Sequence, residues 1–286
     1  MTAVPAPAKK TRGKGKAAII VDPLSQFVPG TKAEQLQALY NSWYGCKRCG
    51  LADFRMQPSG EPNDDIVFGD GNPDAAVMFI GEAPGEEEEG TGLPFIGSSG
   101  KLLNRMLANT SDNENIRKAY DWFRKGRLTV EKEKEFHEYV FNWRREEFFF
   151  TNTVACRPPE NRQPTGMESK ACWERLWSLI YTVDPMVIVA VGKVALSTLL
   201  RKQSEITKIR GQLFDVEFDG RVGKLKYPVL PMLHPSYLLR KADWDTKGGD
   251  FDKTLDDLLK ALRIGDTLRN KNFGTPVPQR MRMDLQ

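Results

Sequence analysis

Two histidines and four cysteines are all that 286 residues hold of the two side chains most often recruited as metal ligands and catalytic nucleophiles. Four cysteines in so long a chain are too few for a disulfide scaffold, the device by which small secreted domains make up for a thin core. Long hydrophobic runs are missing too: none approaches the ~20 consecutive apolar residues of a membrane span. The N-terminus, MTAVPAPAKKTRGKGKAA, lacks the apolar stretch of a secretory signal, so the chain reads as cytoplasmic. In a reducing compartment scarce thiols point to metal binding before disulfides. A large excess of either charge is also absent, the net charge being +4. The cations gather at the ends instead. Five of the eight residues Lys9–Lys16 are basic, and Arg269, Lys271, Arg280 and Arg282 mark the other end.

Those ends read as tails, residues 1–18 and 265–286, because Pro, Gly, Ala and Lys bury little apolar surface. A cationic tail either solubilises or makes sequence-independent contact with phosphates. What is present between them is one domain over 19–264, without internal repeats, in which strand and helix signals alternate. The apolar runs AAVMFI (75–80), FFFTNTV (148–154), MVIVAVG (186–192) and YPVLPML (227–233) predict four strands. Helical spacing follows in SSGKLLNRMLAN, through Leu102, Leu103, Met106 and Leu107, and in 168–181, through Cys172, Leu176, Leu179 and Ile180. KVALSTLLRK and DKTLDDLLKALR (252–263) complete the helices. Alternation of this kind predicts an α/β fold, with a parallel sheet covered on both faces.

Ligands of such sheets bind beyond the carboxyl ends of the strands. Three polar clusters sit at those ends: Gly81-Glu82-Ala83-Pro84-Gly85, Thr151-Asn152 and His234-Pro235-Ser236. If the strands are parallel, a carboxylate, a carboxamide and an imidazole converge on one rim. Singly, Glu82 is a loop acid, Asn152 a turn residue, His234 a structural histidine and Phe95 a core aromatic. Their joint placement is what makes them a site. Glu86–Glu89, next to Gly85, read as a solvated loop.

Cys46-Lys-Arg-Cys49 is a CxxC, whereas Cys156 and Cys172 have fifteen residues between them. A zinc ribbon prefers two CxxC knuckles, and four thiolates with looser spacing also suit a [4Fe–4S] cluster. The spacing points to a metal centre, with iron–sulfur ahead of zinc.

GEAPGEEEEGTGLPFIGSSGKLL, TNTVACRPPENRQP and HPSYLLR, with the four cysteines, closely resemble the family 4 uracil-DNA glycosylases, iron–sulfur enzymes of bacteria, archaea and some phages. The resemblance spans roughly residues 40–262, in four motifs in the right order. It implies a three-layer α/β/α fold on a four-stranded parallel sheet, and a structural [4Fe–4S] cluster on Cys46, Cys49, Cys156 and Cys172. The implied partner is uracil-containing DNA, met by a monomer that flips the uracil and hydrolyses its glycosidic bond. Phe95 then stacks on the base, Asn152 reads its edge, Ala83 offers a backbone N–H to O2, and Gly81 and Gly85 shape the loop. Glu82 activates water, and His234 stabilises the charge developing on O2. Ser236 meets a phosphate, and Leu238, Leu239 or Arg240 fills the gap left by the flipped nucleotide. Two rivals remain: a catalytically silent iron–sulfur DNA- or protein-binding relative of the same fold, and an unrelated zinc-stabilised hydrolase.

The chain departs from the family pattern at its tails and at 111–147, where the family has a short connection. About half of 111–147 is charged, and Phe136, Tyr139, Val140 and Trp143 recur at helical spacing, predicting a helical insertion packed on the domain. Residues 1–18 and 111–147 are the candidate extra contacts with DNA or protein. A related group traps DNA covalently through a histidine after the base-reading Asn. The loop 157–167 has none here, so trapping is disfavoured.

Overall fold

Strand β2 (Val77–Gly81) is buried at every position, and β4 (Val187–Val191) likewise. A strand can be apolar on successive residues only where both sheet faces are covered. The faces divide cleanly. Val77, Phe79, Val187, Val189 and Val191 pack with one set of helices, while Met78, Ile80, Ile188 and Ala190 pack with the other. The computed structural model describes residues 30–274 apart from 57–58, 62, 112, 125–128, 221–222 and 242–247. The basic stretch 1–18 and residues 275–286 therefore lie outside the described residues.

Among the described residues six strands form the sheet, in the order β1-β3-β2-β4-β6-β5. Its middle is the expected four-stranded parallel array of β3 (Phe149–Asn152), β2, β4 and β6 (Gly223–Met232). Each side carries one further strand, antiparallel to its neighbour: β1 (Asp70–Gly71) on β3 and β5 (Phe214–Gly220) on β6. In β5, Val216 and Phe218 are buried, whereas Glu217 stays outside and pairs with Lys224 and Lys226 at 3.2 and 3.1 Å. That two-residue alternation marks a half-solvated edge strand, and charges there deter pairing with another chain.

One face is covered by α1 (Lys32–Trp43), α6 (Gly166–Val183) and α7 (Lys193–Leu200), the other by α3 (Ser98–Thr110), α4 (Glu114–Arg124), α5 (Val130–Glu147) and α10 (Asp250–Phe273). This is the three-layer α/β/α arrangement. Helix α6 starts sharply: Thr165 and Glu168 form a capping box, and Arg162 holds both Glu168 oxygens, at 2.9 and 2.7 Å. Among the described residues no helix is long and apolar enough to cross a membrane.

Two expectations need correction. The C-terminal tail does not begin at 265, because α10 runs to Phe273 with Gly265 and Asp266 buried, and Gly274 then ends it in a left-handed cap. The segment 111–147 forms two helices, α4 and α5, and its apolar stripe is Phe136, Val140 and Trp143. Tyr139 faces solvent, since the i, i+4, i+7 positions already fill the contact with α3.

Candidate active site

Parallel pairing of β2 with β3 places Gly81 opposite Asn152. The chain therefore leaves both strands on the same rim, and β6 delivers His234 there too. One cleft of about 760 Å³ is lined by Glu82, Ala83, Gly85, Phe95, Asn152, His234, Ser236 and Arg240. Gly81 lies beneath it: a Cβ at that position would fall 2.3 Å from Asn152 Oδ1 and 2.7 Å from Phe95 Cζ. No side chain fits there, so glycine is what lets the carboxamide and the ring sit together. Leu239 is not part of the lining. It is exposed on α9 (Pro235–Lys241), whereas Leu238 is in the core, which removes Leu238 as a gap-filling candidate.

The side chains around the cleft differ in how well they are satisfied. Asn152 is 3% exposed, and its Nδ2 has no hydrogen-bond partner among the described residues. Phe95 is buried with φ of +57°, a left-handed conformation rare for a bulky residue. Burial raises the pKa of Glu82, so its carboxylate is a stronger base than a free one. His234 Nδ1 receives the backbone N–H of Ser236 at 3.1 Å and lies 2.8 Å from the Ser236 hydroxyl. A backbone N–H can only donate, so Nδ1 is the acceptor and the ring proton sits on Nε2. Burial, aided by the charge of Arg240, lowers the His234 pKa to about 4, which keeps the imidazole neutral at pH 7. The Ser236 hydroxyl is thus engaged in orienting His234, and Arg240 Nη1 reaches it at 3.4 Å.

Glu86–Glu89 do not form a solvated loop. They open α2 (Glu86–Thr91), where four carboxylates meet the positive end of the helix. Glu88 is buried and accepts the N–H of Gly85 at 3.2 Å. Burial pushes its pKa up, while the backbone N–H groups of Gly85, Phe95 and Ile96 and the charge of Arg144 pull it down. Glu86 and Glu89 pair with Arg157 at 3.4 and 3.5 Å. A glycine N-cap followed by acids is a helix start that the charge run hides. Arg144 and Arg175 lie in no motif of the sequence.

The four cysteines are free. Cys46 follows α1, Cys49 caps the short 3-10 turn Gly50–Phe54, Cys156 follows β3, and Cys172 lies in α6. All four meet the same core face, with Cys156 and Cys172 buried in it. Burial pushes the Cys156 thiol up to about 12, and Cys172, Cys49 and Cys46 push the same way. Two buried guanidiniums stand beside them. Arg55 donates to the Cys46 carbonyl at 3.0 Å, and Arg175 meets Cys172 while donating to Phe68 O at 2.8 Å and to the Asn152 carbonyl. Cations among thiols are what a negatively charged thiolate centre calls for. Among the described residues no three His, Cys, Asp or Glu side chains are grouped for a single ion.

A family profile described as the uracil DNA glycosylase superfamily matches residues 68–259. The chain is 38% identical to the type-4 uracil-DNA glycosylase of Thermotoga maritima, over 61% of this chain and 72% of that protein. Identity to the proteins of the same name is 33% in Saccharolobus solfataricus, over 68% and 72% of the two chains, and 31% in Sulfurisphaera tokodaii, over 72% and 76%.

The tautomer and charge of His234 can be read directly. Nitrogen NMR of histidine-labelled protein should show His234 neutral, protonated on Nε2, down to about pH 4. Titration near the ordinary ~6.5, or an Nδ1–H tautomer, would contradict this geometry.

Proposed function

The chain belongs to the uracil DNA glycosylase superfamily and, within it, to the type-4 uracil-DNA glycosylases, and on that premise we propose that it flips uracil out of DNA into the cleft and hydrolyses the N-glycosidic bond, leaving an abasic site. The observation that carries this reading is the unpartnered Nδ2 of buried Asn152. A buried donor without an acceptor costs ~1–3 kcal/mol, and uracil O4 removes that deficit. Oδ1 then accepts N3–H. Cytosine presents the inverse pattern, a donor where O4 was and an acceptor at N3, so it leaves both amide atoms unpaired.

The other roles follow from position. Phe95, beside Asn152 and above Gly81, stacks on the flipped ring. Ala83 offers its backbone N–H to O2, and Gly81 and Gly85 let the loop approach. Bond cleavage leaves an oxocarbenium-like sugar and an anionic base whose charge collects on O2. Glu82, made more basic by burial, in its ionised form orients and deprotonates the attacking water and offsets the sugar's positive charge. His234 donates from Nε2 to O2 as a neutral imidazole, its tautomer fixed through Nδ1 by Ser236. Leu239, exposed on α9, fills the gap in the duplex, with Ser236 and Arg240 beside the phosphates.

Cys46, Cys49, Cys156 and Cys172 are the residues to hold a [4Fe–4S] cluster. When bound, it supplies structure, tying the ends of α1 and β3 to α6. The protein acts as a monomer in the cytoplasm, and residues 1–18 add phosphate contacts.

Purified protein should release uracil from oligonucleotides without added metal or nucleotide, detected by cleaving the abasic product. Intact uracil DNA that is nonetheless bound would favour the silent relative. Glu82→Gln should lower single-turnover rates by ~10²–10⁴ with DNA affinity nearly unchanged. His234→Ala should cost ~10²–10³. Asn152→Asp accepts but does not donate, so it should weaken uracil and admit cytosine. Because Glu82 acts ionised and its pKa is raised, the rate should climb with pH through that raised pKa and level off above it. His234, neutral above about 4, does not set this limb. An acid limb that survives unchanged in a residual Glu82→Gln activity would overturn the assignment.

Cys172→Ala should bleach the broad visible absorbance of the iron and lower thermal stability. A colourless wild-type protein of full stability and activity would show that no cluster is needed.

A further inference from the structure

Helix α5 belongs to the inserted segment 111–147, yet near its C-terminal end it reaches the wall of the cleft. Arg144 there is fully buried and lies over the rings of Phe150 and Phe141, at 4.5 and 4.6 Å. Its Nη2 donates to the carbonyls of Phe95 and Pro94 at 2.8 and 3.2 Å, and its Nη1 to Asn104 Oδ1 on α3 at 2.7 Å. The carboxylates of Asp70 and Glu88 face it and offset its charge.

Those bonds fall on strained backbone of the site. Phe95 holds φ of +57°, and a bulky residue stays in that region only where its surroundings over-determine it. They do so from both sides of the residue. Glu88 faces the N–H groups of Phe95 and Ile96, and Arg144 takes the Phe95 carbonyl. Gly100 leaves the room, since a Cβ there would lie 1.8 Å from the Phe95 carbonyl oxygen. From Phe95 the ring projects to within 2.7 Å of a Cβ built on Gly81, which places it beside the Asn152 amide.

We propose that Arg144 is a positioning residue for the base-stacking ring: the inserted helix clamps the Phe95 turn, which makes the insertion a working part of the pocket. The proposal rests on the assignment of Phe95 as the stacking aromatic. A guanidinium suits the task because its planar fork spans three acceptors at once, which a lysine ammonium on a flexible stem does not. Arg144→Lys therefore keeps the charge while loosening the turn.

The test compares two DNAs, one carrying 2′-fluoro-2′-deoxyuridine, whose glycosidic bond resists hydrolysis, and one carrying a tetrahydrofuran abasic analogue. Only the first presents a base to the pocket. Arg144→Lys should weaken binding of the fluorouridine DNA about tenfold and leave the abasic DNA within about twofold. In a Phe95→Ala background the Arg144→Lys effect should vanish, because there is no ring left to place. Unchanged binding, an equal loss on both DNAs, or a full loss persisting in Phe95→Ala would each overturn the proposal, the last two marking a general structural role. If Phe95→Ala alone leaves fluorouridine DNA binding intact, the stacking assignment falls and the proposal with it. That failure is recognisable without any Arg144 variant. Should Arg144→Lys fail to fold, Asn104→Ala removes one of the fork's anchors, and a smaller loss confined to the fluorouridine DNA is expected. No such loss would overturn the proposal.

Discussion

The approach of Asn152 and Phe95 over Gly81 is the constraint from which the cleft is built. Pairing in register between β2 and β3 puts Asn152 opposite Gly81, and the missing Cβ lets amide and ring occupy the space above it. A slip of one residue in that register would turn Asn152 to the other face of the sheet. The flanking helices, and the apolar strands they cover, keep the register from slipping. Core and chemistry are therefore not separate parts of this molecule, since the packing that buries Phe79 and Ile80 also sets where Glu82 emerges.

Buried guanidiniums recur behind the site, each working on backbone carbonyls. Arg144 holds the turn of Phe95, Arg175 holds the carbonyl of Asn152, and Arg55 holds the loop of Cys46. Burying such a group is unfavourable unless it is both paired and hydrogen-bonded. What each returns is a fixed loop at the sheet rim, where loops are otherwise the most mobile parts. Arg175 touches the Cys172 thiol at one end and the β3 terminus at the other, so the strand that carries Asn152 is tied to the cysteines. In front, the polarity is reversed: a neutral imidazole and a carboxylate of raised pKa suit a cleft from which a bound base excludes water.

Much of this was legible before any coordinates. Four continuous apolar runs located the parallel strands, and the strand-end rule then brought Glu82, Asn152 and His234 to one rim. The β5–β6 hairpin has no continuous apolar run to mark it, since Phe214, Val216 and Phe218 alternate with acids. Glu86–Glu89 look solvated as a run of like charge, although a helix N-terminus accommodates it. Tyr139 shares the helical spacing of the core residues, and spacing does not say how wide the buried stripe is. Arg144 and Arg175 left no signal in the sequence: most of their partners are backbone carbonyls, which every residue has.

The central claim is that buried Asn152 lacks a partner because a uracil supplies it. A crystal structure with free uracil bound tests this most directly. The account predicts uracil stacked on the Phe95 ring, with Asn152 Nδ2 and Oδ1 within ~3.2 Å of O4 and N3. Uracil bound elsewhere, or in the cleft with Asn152 Nδ2 turned to an acceptor of the protein itself, would contradict it.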